Sequence, residues 1–264
     1  MAKEIAYLVQ TSDYIPKYVK TLEEMGRDVY ILSWKKPVEY KNSIFFPNST
    51  CWEGKNKLAE IVPKKYLYYV CLENDLELRI RKDKYPEDEG KNPWQIFDDF
   101  LLEYQPAIGT VYYNFINKIE HQTTILLAFH SDAFKVCFPV YTNFDRVSWW
   151  WTETCHMLTF FYAFYMYTLH VDKIGFVNKY HGHYDRISCN KYFSKIWKES
   201  FLQQIDKDNF KYVWSHFVSD PITYILPKKI LPGDYKKMAK NFKDRVDKNH
   251  VIWRDNPFIN GKFS

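Results

Sequence analysis

Apolar and polar positions in the first third of the chain alternate between strand-like and helix-like periods. Glu4 to Gln10 is a mostly apolar run of strand length, and Thr11-Ser12-Asp13 closes it as a polar turn. Ile15 to Met25 carries apolar residues at helical spacing. Arg27 to Trp34 reads as a second strand, broken by Lys35-Lys36-Pro37, and Ser43 to Phe46 as a short third. Asn48-Ser49-Thr50 offers a cap to a helix over roughly Gly54 to Val62. Tyr66 to Leu72, rich in aromatic and apolar residues, has the pattern of a buried strand and runs into Glu73, Asp75 and Glu77.

Strands joined by helices in this order predict an α/β unit whose parallel strands end on one edge, where ligands of open sheets bind. That edge gathers Gln10-Thr11-Ser12, Ser33-Trp34, Asn48-Ser49-Thr50 and Glu73-Asn74-Asp75. Further along, Arg79 to Lys91 is charged and reads as a loop, Asn92 to Tyr104 as a helix with Pro93 near its start, and Pro106 to Tyr113 as a strand. Gln122 to Ala128 and Ala133 to Val140 are the next two elements, followed by an apolar helix over Met157 to Leu169. From Lys191 onward the expectation is helix and loop.

Composition narrows the classes. The 264 residues fit one large domain, or one domain with a C-terminal extension, and 46% hydrophobic residues suffice for a sizeable core. Aromatics reach 19%, a surplus that suits a site stacking flat ligands such as nucleobases or sugar rings. There is no GxGxxG and no GxxxxGK[ST], so dinucleotide-dependent redox enzymes and P-loop NTPases lack their signature. The net charge of +5 is spread over scattered lysines without the basic stripe of a duplex-DNA binder, so no nucleic-acid partner is expected. The five cysteines contain no CxxC pair and read as reduced thiols. Met1-Ala2-Lys3-Glu4 leads directly into a strand, and the longest apolar run is short for a bilayer span, so a soluble cytoplasmic protein is the expectation.

The acidic strand end is the first candidate for chemistry. In an extended chain residues two apart share a face, so Glu73 and Asp75 would present two oxygen ligands on one side. Mg²⁺ or Mn²⁺ takes such ligands and keeps positions open for water and phosphate. The alternative is a strand running into a solvated acidic turn.

This succession resembles the GT-A nucleotide-sugar glycosyltransferases over roughly residues 4 to 186. The resemblance implies a GT-A fold, α/β with a mixed central sheet flanked by helices. Residues 1–190 would form the GT-A domain, with a nucleotide-binding half over 1–78 and an acceptor half over 79–190, and residues 191–264 a helical extension. It implies a metal-dependent transfer of sugar from a nucleoside diphosphate sugar, a UDP-sugar first, to a glycan or glycoprotein acceptor. Glu73-Asn74-Asp75 is the counterpart of the family's DxD motif, with Glu in the first position. Trp52-Glu53-Gly54-Lys55-Asn56-Lys57-Leu58 resembles the helix start beside the nucleotide, where Lys55 and Asn56 would meet the diphosphate; the alternative for Lys55 and Lys57 is an exposed helix turn. Gln10, Thr11 and Ser12, with Ser33 and Trp34, would line the nucleotide pocket.

Phe144-Asp145 followed by Ser148-Trp149-Trp150-Trp151-Thr152-Glu153 resembles the family's acceptor segment, in which a carboxylate takes the proton of the attacking hydroxyl. Glu153 is the first candidate base and Asp145 the second; the alternative for Glu153 is an acid at a helix N-terminus. His181 and His183 in Asn178-Lys179-Tyr180-His181-Gly182-His183 match the C-terminal histidine that completes the metal shell, and the alternative is two solvated side chains. The order of features, including Gln105-Pro106-Ala107-Ile108-Gly109, is also similar to uncharacterised glycosyltransferase-like proteins, and the Lys-, Tyr-, Phe- and Asn-rich composition suits a viral source such as a large algal virus. Two other classes stay open: a nucleotidyltransferase or sugar-nucleotide hydrolase of related fold, and a non-catalytic carbohydrate-binding protein. Gln10 to Tyr14 lacks the glycine-rich loop expected of the nucleotidyltransferase.

Overall fold

The protein is described by a computed structural model, which places residues 4–112, 126–140, 142 and 168–178. One eight-stranded sheet organises them, in the order β3-β2-β1-β4-β7-β6-β8-β5. The first half is the expected parallel α/β unit: β1 (Ile5–Thr11), α1 (Tyr18–Glu24), β2 (Asp28–Ser33), β3 (Ser43–Phe45), α2 (Cys51–Ile61) and β4 (Tyr68–Glu73). After it come β5 (Leu76–Ile80), a single 3₁₀ turn over Pro86–Asp88, α3 (Pro93–Tyr104), β6 (Ile108–Tyr112), β7 (Leu126–His130), α4 (Ser131–Cys137) and β8 (Thr168–Asn178). The sheet is mixed because β7 runs antiparallel to β4 and β6, and β5 antiparallel to β8.

Period-two alternation divides the core into two layers. All seven residues of β1 are buried, as a strand covered on both faces requires. Ile5, Tyr7 and Val9 point with Tyr68, Val70 and Leu72 toward α1 and α3, where Leu22, Trp94 and Phe97 complete the layer. Ala6 and Leu8 point with Tyr69 and Cys71 toward α2 and α4, against Trp52, Leu58 and Phe134. The Tyr69 and Phe134 rings stack at 4.2 Å. Burial among these apolar groups pushes the Cys71 thiol up to about 12, so it is an inert packing group.

Three expectations are corrected. The strand ends at Glu73 and Asn74-Asp75 form a turn, so their side-chain directions do not follow from an extended backbone. The charged segment expected as loop from Arg79 begins inside β5 and contains the 3₁₀ turn, because Leu76 and Leu78 find buried positions that pull the chain into the sheet. Thr168 and Leu169, expected to end a helix, start β8, whose pairing with β6 and β5 overrides the apolar run. The expected helical extension over 191–264 lies outside the described residues.

Candidate functional site

β1 joins β2 on one side and β4 on the other, so the strand order reverses between β1 and β4. A reversal of this kind opens a crevice at the C-terminal strand ends. Gln10 and Glu73 are register partners at that point. By the alternation of their strands both face α2.

The start of α2 is built to meet them. Thr50 is the N-cap: its side chain accepts from Glu53 N–H while the Glu53 carboxylate accepts from Thr50 N–H, a reciprocal capping box. Gln10 Nε2 donates to the Thr50 carbonyl at 3.1 Å, and Gly54 leaves the space this amide fills. One turn on, Lys55 is buried, 2% exposed, and its ammonium donates to Glu73 Oε1 at 3.2 Å and to Cys51 Sγ at 2.9 Å. It also lies 4.7 Å from the centre of the Trp52 ring. Of the two readings of Lys55, the exposed helix turn is therefore excluded; Lys57 pairs with Glu60 at the surface.

On the opposite face of the sheet, Tyr18 donates to the Glu73 carbonyl at 2.8 Å. Burial, and then Asp75, Tyr14 and Glu73 nearby, push its hydroxyl well above the ordinary tyrosine value. Tyr14 and Asn74 bond to one another across the mouth of the edge, through Asn74 Nδ2 to the Tyr14 hydroxyl at 3.0 Å. Thr11 donates to the Tyr14 carbonyl at 2.7 Å and so fixes the turn after β1. Ser12 donates to Asp13, whose carboxyl is held low by that bond and by Lys35. Ser33 is fully buried beside Thr11, and Trp34, half exposed, follows it.

Two further features mark this edge. Among the described residues the exposed large apolar side chains are Tyr14, Ile15, Trp34, Phe45 and Ile61, and all but Ile61 lie at or just beyond the ends of β1, β2 and β3. Buried polar atoms without a hydrogen-bond partner include Gln10 Oε1, Ser33 Oγ and Ser49 Oγ, again at these strand ends and in the turn before α2. The edge thus combines aromatic surface with unused hydrogen-bonding capacity.

The structure therefore brings together Gln10, Thr11, Ser12, Ser33, Trp34, Glu73, Asn74 and Asp75. It directs Asn56 elsewhere: its amide donates to the Val140 carbonyl at 2.7 Å and accepts from Val140 N–H at 2.8 Å. Asn56 lines a cavity of about 650 Å³ between α2 and α4, walled by Phe46, Phe134 and Phe138. Asp145, Glu153, His181 and His183 lie outside the described residues. Sequence reasoning missed Tyr14, Tyr18 and Cys51; Cys51 and Lys55, four apart in one helix, were a readable signal for a shared face.

The groups described around Glu73 Oε1 do not suit a divalent cation. They are an ammonium and a thiol, not the oxygens a hard cation takes. An ion on the same carboxylate would lie roughly 4–5 Å from the ammonium, a repulsion of about 7 kcal/mol at an effective dielectric near 20. Among the described residues no three His, Cys, Asp or Glu side chains converge to hold a metal. His130 is at the opposite edge, since Tyr68 at the start of β4 is its partner.

No family model matches this chain, and no curated protein matches it. Solved structures give distant likenesses. A protein assigned as a glucose-1-phosphate thymidylyltransferase from Bacillus anthracis, in complex with a sucrose, covers 66% of this chain and 89% of its own at 7% identity and a TM-score of 0.40. The glycosyltransferase GlyE of Streptococcus pneumoniae TIGR4 covers 97% of this chain and 64% of its own at 9% identity and 0.34. The galactosyltransferase LgtC, in complex with donor and acceptor sugar analogs, covers 94% and 99% at 12% identity and 0.31. At these scores the likenesses assign no activity to this chain.

Proposed function

We propose that this chain is a glycosyltransferase that binds a nucleoside diphosphate sugar, a UDP-sugar first, at the edge formed by β1, β2 and β4. The observation that carries the reading is the Gln10–Glu73 register pair at the strand-order reversal, with exposed aromatic side chains at the same edge: Tyr14, bonded to Asn74, and Trp34, just beyond β2. A flat base has aromatic surface to stack on, and its polar edge has the spare capacity of Gln10 Oε1 to meet. Gln10, Thr11, Ser12, Ser33 and Trp34 are assigned to the nucleoside, and Asn74, whose amide can donate, to the diphosphate end.

Glu153, with Asp145 as second choice, is assigned as the base toward a glycan or glycoprotein acceptor. It takes the proton of the acceptor hydroxyl as that oxygen bonds to the anomeric carbon; the bond from that carbon to the diphosphate oxygen breaks, and the nucleoside diphosphate leaves. Calorimetric titration of UDP and GDP into the wild type and Trp34→Ala tests the donor site, since stacking a base on an exposed ring contributes about 1–3 kcal/mol. Binding of one nucleotide, weakened at least tenfold in the variant, supports the reading; no binding to the wild type, with Mn²⁺ or with EDTA, removes it. Loss of transfer in Glu153→Gln with donor binding intact supports the inverting course.

A further inference from the structure

We infer that the acidic strand end carries its own resident cation: Lys55, in place of a divalent metal, is the counter-ion of Glu73, and donor binding at this edge proceeds without metal. The inference rests on the nucleotide-binding reading above and departs from the metal dependence that the Glu73-Asn74-Asp75 pattern suggested.

The argument starts from burial. A lysine only 2% exposed must have partners for its charge, and Lys55 has Glu73 Oε1 at 3.2 Å, Cys51 Sγ at 2.9 Å and the Trp52 ring face at 4.7 Å. This arrangement is set by two rigid elements. Cys51 and Lys55 are one helical turn apart on α2, whose start is fixed by the Thr50–Glu53 capping box, and Glu73 is the last residue of β4, hydrogen-bonded between β1 and β7. A metal on Glu73 would share the carboxylate with an ammonium that has no solvent to retreat into, and the two cations would repel. Within the pair one positive and one negative charge cancel. A diphosphate approaching this edge then meets a neutralised Glu73 in place of a bare carboxylate, which removes one repulsion from its path.

The test uses the full chain and two separate readouts. Mn²⁺ alone is titrated and the free ion followed by electron paramagnetic resonance. The expected result is no site tighter than about 1 mM, the weak end of protein cation sites; a tighter stoichiometric site overturns the inference, and its loss or survival in Glu73→Gln tells whether Glu73 holds the ion. UDP affinity is then compared in EDTA and in Mn²⁺. Equality within threefold supports the inference, and binding that tightens more than threefold with Mn²⁺ overturns it. If neither UDP nor GDP binds in either condition, the nucleotide reading fails and metal-free donor binding falls with it, while the Mn²⁺ titration still decides what Glu73 holds. Lys55→Met is expected to weaken UDP at least tenfold and Lys55→Arg to retain most affinity; unchanged affinity in Lys55→Met overturns the role. The wild-type measurements need no variant to fold.

Discussion

Gln10 fills the space that a side chain at Gly54 would need: a Cβ there would come within 2.3 Å of Gln10 Nε2 and 2.7 Å of its Cδ. The strand end and the helix start are thus in contact at the bare backbone of α2, and the glycine is required by that approach.

Gly54→Ala is expected to drive the Gln10 amide off the Thr50 carbonyl. Alanine gains about 1 kcal/mol of helix propensity over glycine, while crowding costs about 1–3 kcal/mol. Stability measured by urea unfolding should therefore change by less than about 2 kcal/mol. Nucleotide affinity should fall about tenfold, the equivalent of roughly one hydrogen bond to the ligand. Unchanged affinity would remove Gln10 from the proposed pocket.

The Lys55–Glu73 pair is asymmetric, with side chains 2% and 28% exposed. Glu73→Ala leaves a buried ammonium without its carboxylate and is expected to cost about 2–4 kcal/mol. Lys55→Met leaves a carboxylate that water can reach and should cost about 1 kcal/mol or less. Urea unfolding of both variants checks the order, and equal losses would mean that the pair is solvated.

Asn56→Ala is expected to destabilise the fold by about 1–3 kcal/mol, since the buried Val140 N–H and carbonyl both lose their partner. Because the amide is committed to Val140, nucleotide affinity should stay within twofold. A loss of affinity at unchanged stability would return Asn56 to the diphosphate.

Asp98 is fully buried, accepting from Arg27 Nε at 2.6 Å and from the Tyr7 hydroxyl. Burial pushes its carboxyl up, against the lowering by Tyr7 and Arg27. A carboxyl raised on folding binds its proton more tightly in the native state. Its contribution is therefore full below the ordinary value of about 3.9 and is lost as pH rises through the raised value. The stability of the wild type relative to Asp98→Asn should fall across that window, no more steeply than about 1.4 kcal/mol per pH unit. A relative stability that rises with pH would show that the Arg27 pair dominates.

The parallel half of the fold was legible because its information is local. β1, β2 and β4 are apolar runs punctuated by polar turns, α1 and α2 carry a helical period, and Thr50 with Glu53 writes a cap into the sequence. The candidate edge followed, since strand ends of parallel units fall together whatever fills the core. The sequence by itself therefore determined which elements the parallel half forms and that Gln10, Ser33 and Glu73 share one end of the sheet.

Tertiary structure decided what those residues do there. Helical spacing puts Lys55 on the face of Cys51, Trp52 and Leu58 and Lys57 off it, but only the packing of α2 on the sheet brings that face onto Glu73. Asn56 likewise suits a ligand by its place at the helix start, whereas Val140, 84 residues away, takes both ends of its amide. β5 was hidden for the same reason. It follows β4 after a two-residue turn, yet pairs with β8 at the far edge of the sheet, a choice made by long-range pairing that no window of sequence contains. Periodicity fixes the faces of an element, and only the packing of distant elements fixes what each face meets.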